Sequence, residues 1–398
     1  MTGVFPLRPV LKDYHWGSIS AIPGLLGIEP PGLPLAELWL GAHGNSPSLI
    51  GDGLPLDEYL AGGKAEGGRY AGQLPFLMKI LAAASPVSIQ VHPNRTQAAE
   101  GFAREAGGGL SPKDPARNYR DPHHKPEILV ALTPFSALCG LREASDSALL
   151  LRDLLGARAG RGVAARLLAH LDDGDLSGAV DLLLSGDPAV PGLASLMARL
   201  ADERPGPLTD TLTYTSSHHG ADPGVVVGAL LNRADLAPGE AVFVEAGQLH
   251  AHLRGVGVEV MAPSDNVLRG GLTRKRIDAP ELRRIGVFDA HEPTILRGDR
   301  HAVRGLTVTS YRPHVEEFEV HRLEVAGPGA CLALGGFGLA IATKGSVRFS
   351  SGQDQLTVPM GGCVFLDTSD EVSVDGSGEA YLTTSPGLSV RETSSNRL

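Results

Sequence analysis

The sequence predicts a mainly β protein with a helical insertion: two β-barrel halves, the first interrupted by an α-helical domain. Three observations carry that prediction. Gly (51) and Pro (29) make up about a fifth of the 398 residues, which favours many turns and therefore many short strands. Short apolar segments, some with strand period, lie on both sides of residues 143–225. Within that interval the apolar spacing becomes helical.

In order, residues 1–142 read as short apolar segments broken by Gly and Pro: Glu37–Gly41, Leu74–Ala82, Val87–His92 and Ile128–Leu132. Alternation in Val87–His92 puts Ser88, Gln90 and His92 on one face. From Glu143 the sets Val163/Leu167/Leu171, Leu176/Val180/Leu183 and Leu193/Leu196/Met197/Leu200 follow helical steps. Gly174, Asp187-Pro188 and Pro191-Gly192 separate them. This insertion, 143–225, carries no evident chemistry and is expected to supply a helical core. Residues 226–292, with the strand Ala241–Val244, complete the first domain with 1–142, and 293–398 form a last β domain. Gly239–Val244 is echoed by Gly361–Leu366, but only the first copy leads to a histidine, His250. Two related barrels, one with a metal site and one without, explain that pattern.

Bulk properties narrow the partners. Hydrophobic content of 42% and charged content of 20% are those of a soluble globular protein, and the length calls for two or three domains. A formal charge of −10 argues against nonspecific binding to nucleic acid or membrane surfaces. Cys139, Cys331 and Cys363 are far apart and odd in number, as expected of reduced thiols in a cytoplasmic protein. No signal-peptide pattern opens the chain, and no apolar run approaches membrane-spanning length.

Against this acidic background, residues 250–278 stand out. They place His250, Glu259 and Asp265 beside Arg269, Arg274, Lys275 and Arg276, which surround Gly270-Gly271. A metal ligand, a carboxylate and a basic cradle suit a small, anionic, hydroxyl-rich substrate such as a sugar phosphate. Gln90, His92 and Glu127 are further donors: two imidazoles, a carboxylate and an amide oxygen suit a borderline ion such as zinc. In His124-Lys125-Pro126-Glu127, Pro126 restricts Lys125 to extended geometry, and a nearby cation would depress the lysine pKa toward acid/base use.

Several boxes together resemble the type I mannose-6-phosphate isomerase family: Tyr14–Gly17, Ala36–His43, Ser88–Pro93, His124–Glu127, and Ser264–Thr273 with Lys275. They run in the family's order from residue 14 to about 278. The resemblance implies a cupin (jelly-roll) catalytic barrel, an inserted helical domain and a second, metal-free cupin-like barrel. It implies one zinc ion per chain, held by Gln90, His92, Glu127 and His250. It carries over Trp16, Glu37, Lys79, Ser88 and Lys275 as substrate-binding residues, to which His252 is added as a sugar contact, and Arg269, Lys125, His124 and Asp265 as catalytic ones. The expected substrate is a hexose 6-phosphate, with no nucleic acid or membrane partner, in a cytoplasmic monomer on a route to GDP-mannose. Two departures stand out: His252 replaces the family's Tyr, and His123 its Asn.

The implied reaction moves a proton between C2 and C1 through an enediol(ate), after ring opening. Arg269 is expected to anchor substrate and stabilise the enediolate. Lys275, with Ser88 and Lys79, is expected to bind phosphate, and Asp265 either acts directly or orients Arg269. Lys125, His124, Glu259, Asp265 and a zinc-bound water are all candidates for the base. Two other classes compete. One is a metal cupin enzyme such as an iron oxygenase, disfavoured by Gln90 and the cationic cradle. The other is a non-catalytic sugar-phosphate-binding cupin, encouraged only by His252.

Overall fold

The computed structural model describes residues 3–62, 73–111, 114–367 and 371–391 as two large β assemblies and a helical layer. In the first assembly the strands lie in the order Thr294–Leu296, Ala241–Val244, Glu127–Ala131, His250–Met261, Leu77–Ala83, Glu37–Leu40 and Val10–Lys12. Leu231–Leu236, Phe135–Leu141, Gln90–Val91 and Leu268–Arg269 form a second wall, joined to the first through the same His250–Met261 strand.

That strand turns a corner. Its first part pairs with Phe135–Leu141 and Gln90, its second with Leu77–Ala83 and Glu127–Ala131. A bulge between His252 and Arg254 precedes Gly255, whose φ of 128° is open to glycine. A Cβ there would lie 2.8 Å from the Pro134 carbonyl oxygen. Strand side chains alternate, so one extra residue reverses which of them face inward. His250 and His252 therefore face the interior before the bulge, and Glu259 and Met261 after it.

The second assembly orders Asp299–Val303, Leu306–Tyr311, Glu319–Ala333, Val372–Thr384, Gly338–Ser351 and Cys363–Asp367. It is extended by Gly3–Arg8, which pairs antiparallel with Cys363–Asp367, and then by Leu49–Ile50 and Leu54–Pro55. Here the structure departs from the expected division, which put all of 1–142 in the first domain. The cause is apolar packing: Phe5 sits opposite Phe365 in register and stacks on it at 6.3 Å, while Leu7 enters a core fed by both assemblies. Leu38, Ile80 and Val258 reach that core from one side, Val320, Leu339 and Phe365 from the other.

The helical residues run from Ala144–Leu155 to Gly224–Ala229. Val163, Leu167, Leu171, Leu176, Val180, Leu183, Leu193 and Met197 are buried, whereas Leu196 and Leu200 are only partly so. Their core is continuous with Ile89, Val91, Leu249 and Leu268, so the helices back the strands that carry Gln90, His250 and Arg269. Among the helices outside the periodic stretches are Pro207–His219 and Arg95–Gly107. The latter opens with a capping box between Asn94 and Gln97, a signal present in the sequence. Among the described residues no helix is long and apolar enough to cross a membrane.

Candidate metal centre

Strand register brings the proposed ligands together. Glu127 opens its strand opposite Met261 and Val244, and His250 pairs with Gln90, itself opposite Arg269. Ligand atoms of His92, Glu127 and His250 all lie within 4.8 Å of one another, and all three residues are buried. The outer ring nitrogens are fixed by backbone: His92 Nδ1 donates to the Asn266 carbonyl at 2.7 Å and His250 Nδ1 to that of Gln248 at 3.0 Å. A carbonyl can only accept, so in the neutral rings both Nε2 atoms are lone pairs. They face the Glu127 carboxylate at 3.4 and 3.3 Å, and His92 Nε2 has no hydrogen-bond partner. Burial pushes the His92 pKa down to about 4. Three acceptors that converge with no proton to share among themselves fit a divalent cation, and backbone-oriented imidazoles with a carboxylate fit zinc. Burial would raise the Glu127 pKa, but Lys125, whose Nζ is 3.0 Å away, and His92 hold it well below the usual carboxylate range.

Beside this group lies a cavity of about 310 Å³. Trp16, Glu37, Lys79, Ser88, Gln90, Lys125, Glu127, His250, His252, Asp265, Arg269 and Lys275 all line it. His124 does not. It is the neighbour of inward-pointing Lys125 and so faces the other way, its Nε2 2.9 Å from Glu317 of the second assembly. This placement lends no support to the expected catalytic role of His124.

A buried ionic chain crosses the cavity wall. Trp39, Lys79 and Glu259 sit opposite one another on adjacent strands. Lys79 Nζ lies 3.2 Å from Glu259 and 3.4 Å from Glu37, Glu37 accepts from Trp39 Nε1 at 2.8 Å, and Glu259 meets His252 Nε2 at 2.9 Å. Burial would lower the Lys79 pKa, but the two carboxylates outweigh it and hold it above the ordinary lysine value. Burial would raise Glu259, and Lys79 with His252 brings it below the usual range. Lys79 is thus engaged by two acids, which takes it away from the phosphate role expected of it.

Asp265 pairs with His43 at 3.3 Å and accepts from Asn45 Nδ2 at 3.0 Å. Among the described contacts it does not pair with Arg269, so the expected orienting role is unsupported. The Asp265 pKa is lowered chiefly by the His43 hydrogen bond. Arg269 keeps a buried Nε without a hydrogen-bond partner. Burial, then Arg120, lowers the Arg269 pKa; burial, then Arg269, lowers that of Lys275. Mutually repelling cations facing one cavity are a site for an anion. The sequence reading gave no roles to Tyr14, Trp39 or His43, which also line it, although all three stand in the boxes quoted above.

Comparison with known proteins agrees with this geometry. Residues 4–144 match the model of the phosphomannose isomerase type I catalytic domain. Mannose-6-phosphate isomerase of Escherichia coli (strain K12) is 36% identical over 382 residues, covering 92% of this chain and 96% of that protein. The Salmonella typhimurium enzyme of that name is 42% identical over 285 residues, covering 68% of this chain and 72% of that protein. Among solved structures, a zinc-bound mannose 6-phosphate isomerase superposes with a TM-score of 0.86 at 32% identity, covering 96% of this chain and 99% of that one. A Salmonella typhimurium structure holding fructose 6-phosphate and zinc gives the same TM-score, identity and coverage. A relative this similar along nearly its whole length, with the same fold, shows that the chain belongs to the type I phosphomannose isomerase family.

Proposed function

We propose that the protein is a zinc-dependent aldose–ketose isomerase that interconverts mannose 6-phosphate and fructose 6-phosphate. One observation carries the reading: Glu127 and His250 of the convergent His92–Glu127–His250 group line the same cavity as the Arg269 and Lys275 cations. At about 310 Å³ it is at the small end of ligand pockets, the size class of a single sugar.

His92, Glu127 and His250 would hold zinc, with the Gln90 amide as fourth donor. Bound zinc supplies a Lewis acid for the substrate oxygens and needs no redox activity. Lys275 and Ser88 bind the phosphate, leaving Arg269 free to meet the enediolate oxygens. Lys125, beside Glu127, is the preferred proton-transfer or hydroxyl-contact group. Glu259, kept ionised by Lys79 and positioned by His252, is the second candidate for the proton between C1 and C2. Trp16 and Glu37 complete the sugar-facing wall, and Asp265 with His43 fixes the rim. The cytoplasmic monomer on a route to GDP-mannose expected from the sequence belongs to the same proposal.

The test is isomerisation of mannose 6-phosphate by purified protein, before and after chelation and after zinc is restored. Activity lost and regained with zinc is the expected result. A zinc-loaded protein without turnover would leave a sugar-phosphate-binding cupin in its place.

A further inference from the structure

No residue of 143–225 lines the cavity, yet that helical insertion grips both loops that bring anion-binding groups to it. We infer that Asp222 is a positioning residue for the loop between Arg269 and Lys275. Its Oδ1 accepts the N–H groups of Gly224 and Leu272, each at 2.7 Å, and its Oδ2 accepts that of Thr273 at 3.4 Å. Leu272 has φ 52°, in the left-handed region that L side chains avoid. It is held there from two sides, its N–H by Asp222 and its side chain, 1% exposed, by the core shared with the helices.

The backbones touch as well. A Cβ at Gly271, φ 127°, would lie 2.3 Å from Gly224 Cα, and one at Gly224 would lie 2.3 Å from Leu272 N. Downstream, Thr273 Oγ1 accepts the Lys275 N–H at 3.1 Å. A chain of contacts therefore runs from Asp222 through Leu272 and Thr273 to Lys275. Arg269 lies on the other side of the turn and is anchored separately, by pairing with Gln90. The insertion treats the Ser88 loop similarly: Tyr214 Oη donates to the Ala84 carbonyl at 2.8 Å and His219 Nε2 to that of Pro86 at 3.1 Å. Without Asp222 the left-handed turn loses its acceptor, and Lys275 loses its fixed distance from Ser88. The helical domain is thus part of the phosphate site's framework.

The inference rests on the phosphate assignment made above. Its test uses zinc-loaded full-length protein, measuring kcat and KM for mannose 6-phosphate together with inorganic phosphate affinity by titration calorimetry. Asp222→Ala should raise KM and the phosphate Kd together by about tenfold, with kcat changed less than about threefold. Asp222→Asn keeps the Oδ1 acceptor of the two 2.7 Å bonds but sets an NH2 group where Oδ2 accepts from Thr273, and should return both constants part of the way to wild type. Thr273→Val, which cuts the same chain one step nearer Lys275 and serves if Asp222→Ala does not fold, should move the same two constants. Unchanged constants in Asp222→Ala or Thr273→Val, or an Asp222→Asn protein as impaired as Asp222→Ala, overturn the inference. So does wild-type protein without measurable phosphate affinity. Wild type that binds phosphate but turns over no sugar sinks the isomerase reading alone, and the phosphate constant still judges Asp222.

Discussion

Replacing Lys79 by Met should destabilise the protein severely, and the structure sets the scale. Lys79 is buried with Glu259 at 3.2 Å and Glu37 at 3.4 Å. At an effective dielectric of about 20, each attraction is worth about 5 kcal/mol before desolvation. Desolvation of three buried charges offsets most of that, so the net value of the assembled group is small. Removing only the cation is different, because two carboxylates are then left buried without a counter-charge, at a cost of about 3–5 kcal/mol. The pH dependence follows from the same pairings. Glu259 is depressed in the folded protein, so its contribution is present above the unfolded carboxylate pKa and is lost as pH falls through the lower folded value. Lys79 is raised, so its contribution is full below the unfolded lysine pKa and is lost as pH rises through the folded one. In Lys79→Met the carboxylates take up protons more readily, and the deficit relative to wild type should shrink from pH 8 to pH 5. Denaturant titrations of wild type, Lys79→Met, Glu259→Gln and the double variant at both pH values would measure it, with the double variant regaining part of the loss. A Lys79→Met protein within about 1 kcal/mol of wild type at pH 8, or a deficit indifferent to pH, would refute the reasoning.

Three further outcomes are expected. Arg269→Ala should lower kcat by about 10²–10³ while zinc content by atomic absorption stays at the wild-type level; near-normal turnover would remove Arg269 from the chemistry. His250→Ala should lose zinc, weakening affinity by more than about 100-fold in a chelator competition, and a fully loaded variant would show that the ligand set is wrong. His252→Tyr should keep kcat/KM within about tenfold if a tyrosine hydroxyl can replace the imidazole that meets Glu259, and a larger loss would mean that this chain uses the imidazole itself.

Residues near a chemical requirement were legible in the sequence. His92, Glu127 and most of the cavity lining stand in short boxes whose residue types state their chemistry, and His250 opens the cation-rich stretch 250–278. Helices 162–172 and 176–184 were legible because their buried faces follow helical period. Strand Val87–His92 was over-read: alternation held, but only Gln90–Val91 pairs as a strand, since Pro93 ends it. Glu259 could not be aimed from period alone, because the bulge before Gly255 reverses the parity of the strand. His124 was expected to be catalytic from the family box, and nothing local signals that Glu317, nearly two hundred residues on, meets its ring. The place of Gly3–Arg8 was hidden for the same reason: its partner strand lies at the other end of the chain.

That last pairing has a consequence for how the molecule is made. Gly3–Arg8 is synthesised long before Cys363–Asp367, its partner. Until that partner emerges, the strand has only Leu49–Ile50 beside it, and Val4 lacks the core of the second assembly that buries it. The catalytic barrel can assemble in the meantime from strands within 10–296, so the metal ligands can meet before the molecule closes. Closure then comes as one late, long-range step that ties these distant segments together, and it should dominate the folding time.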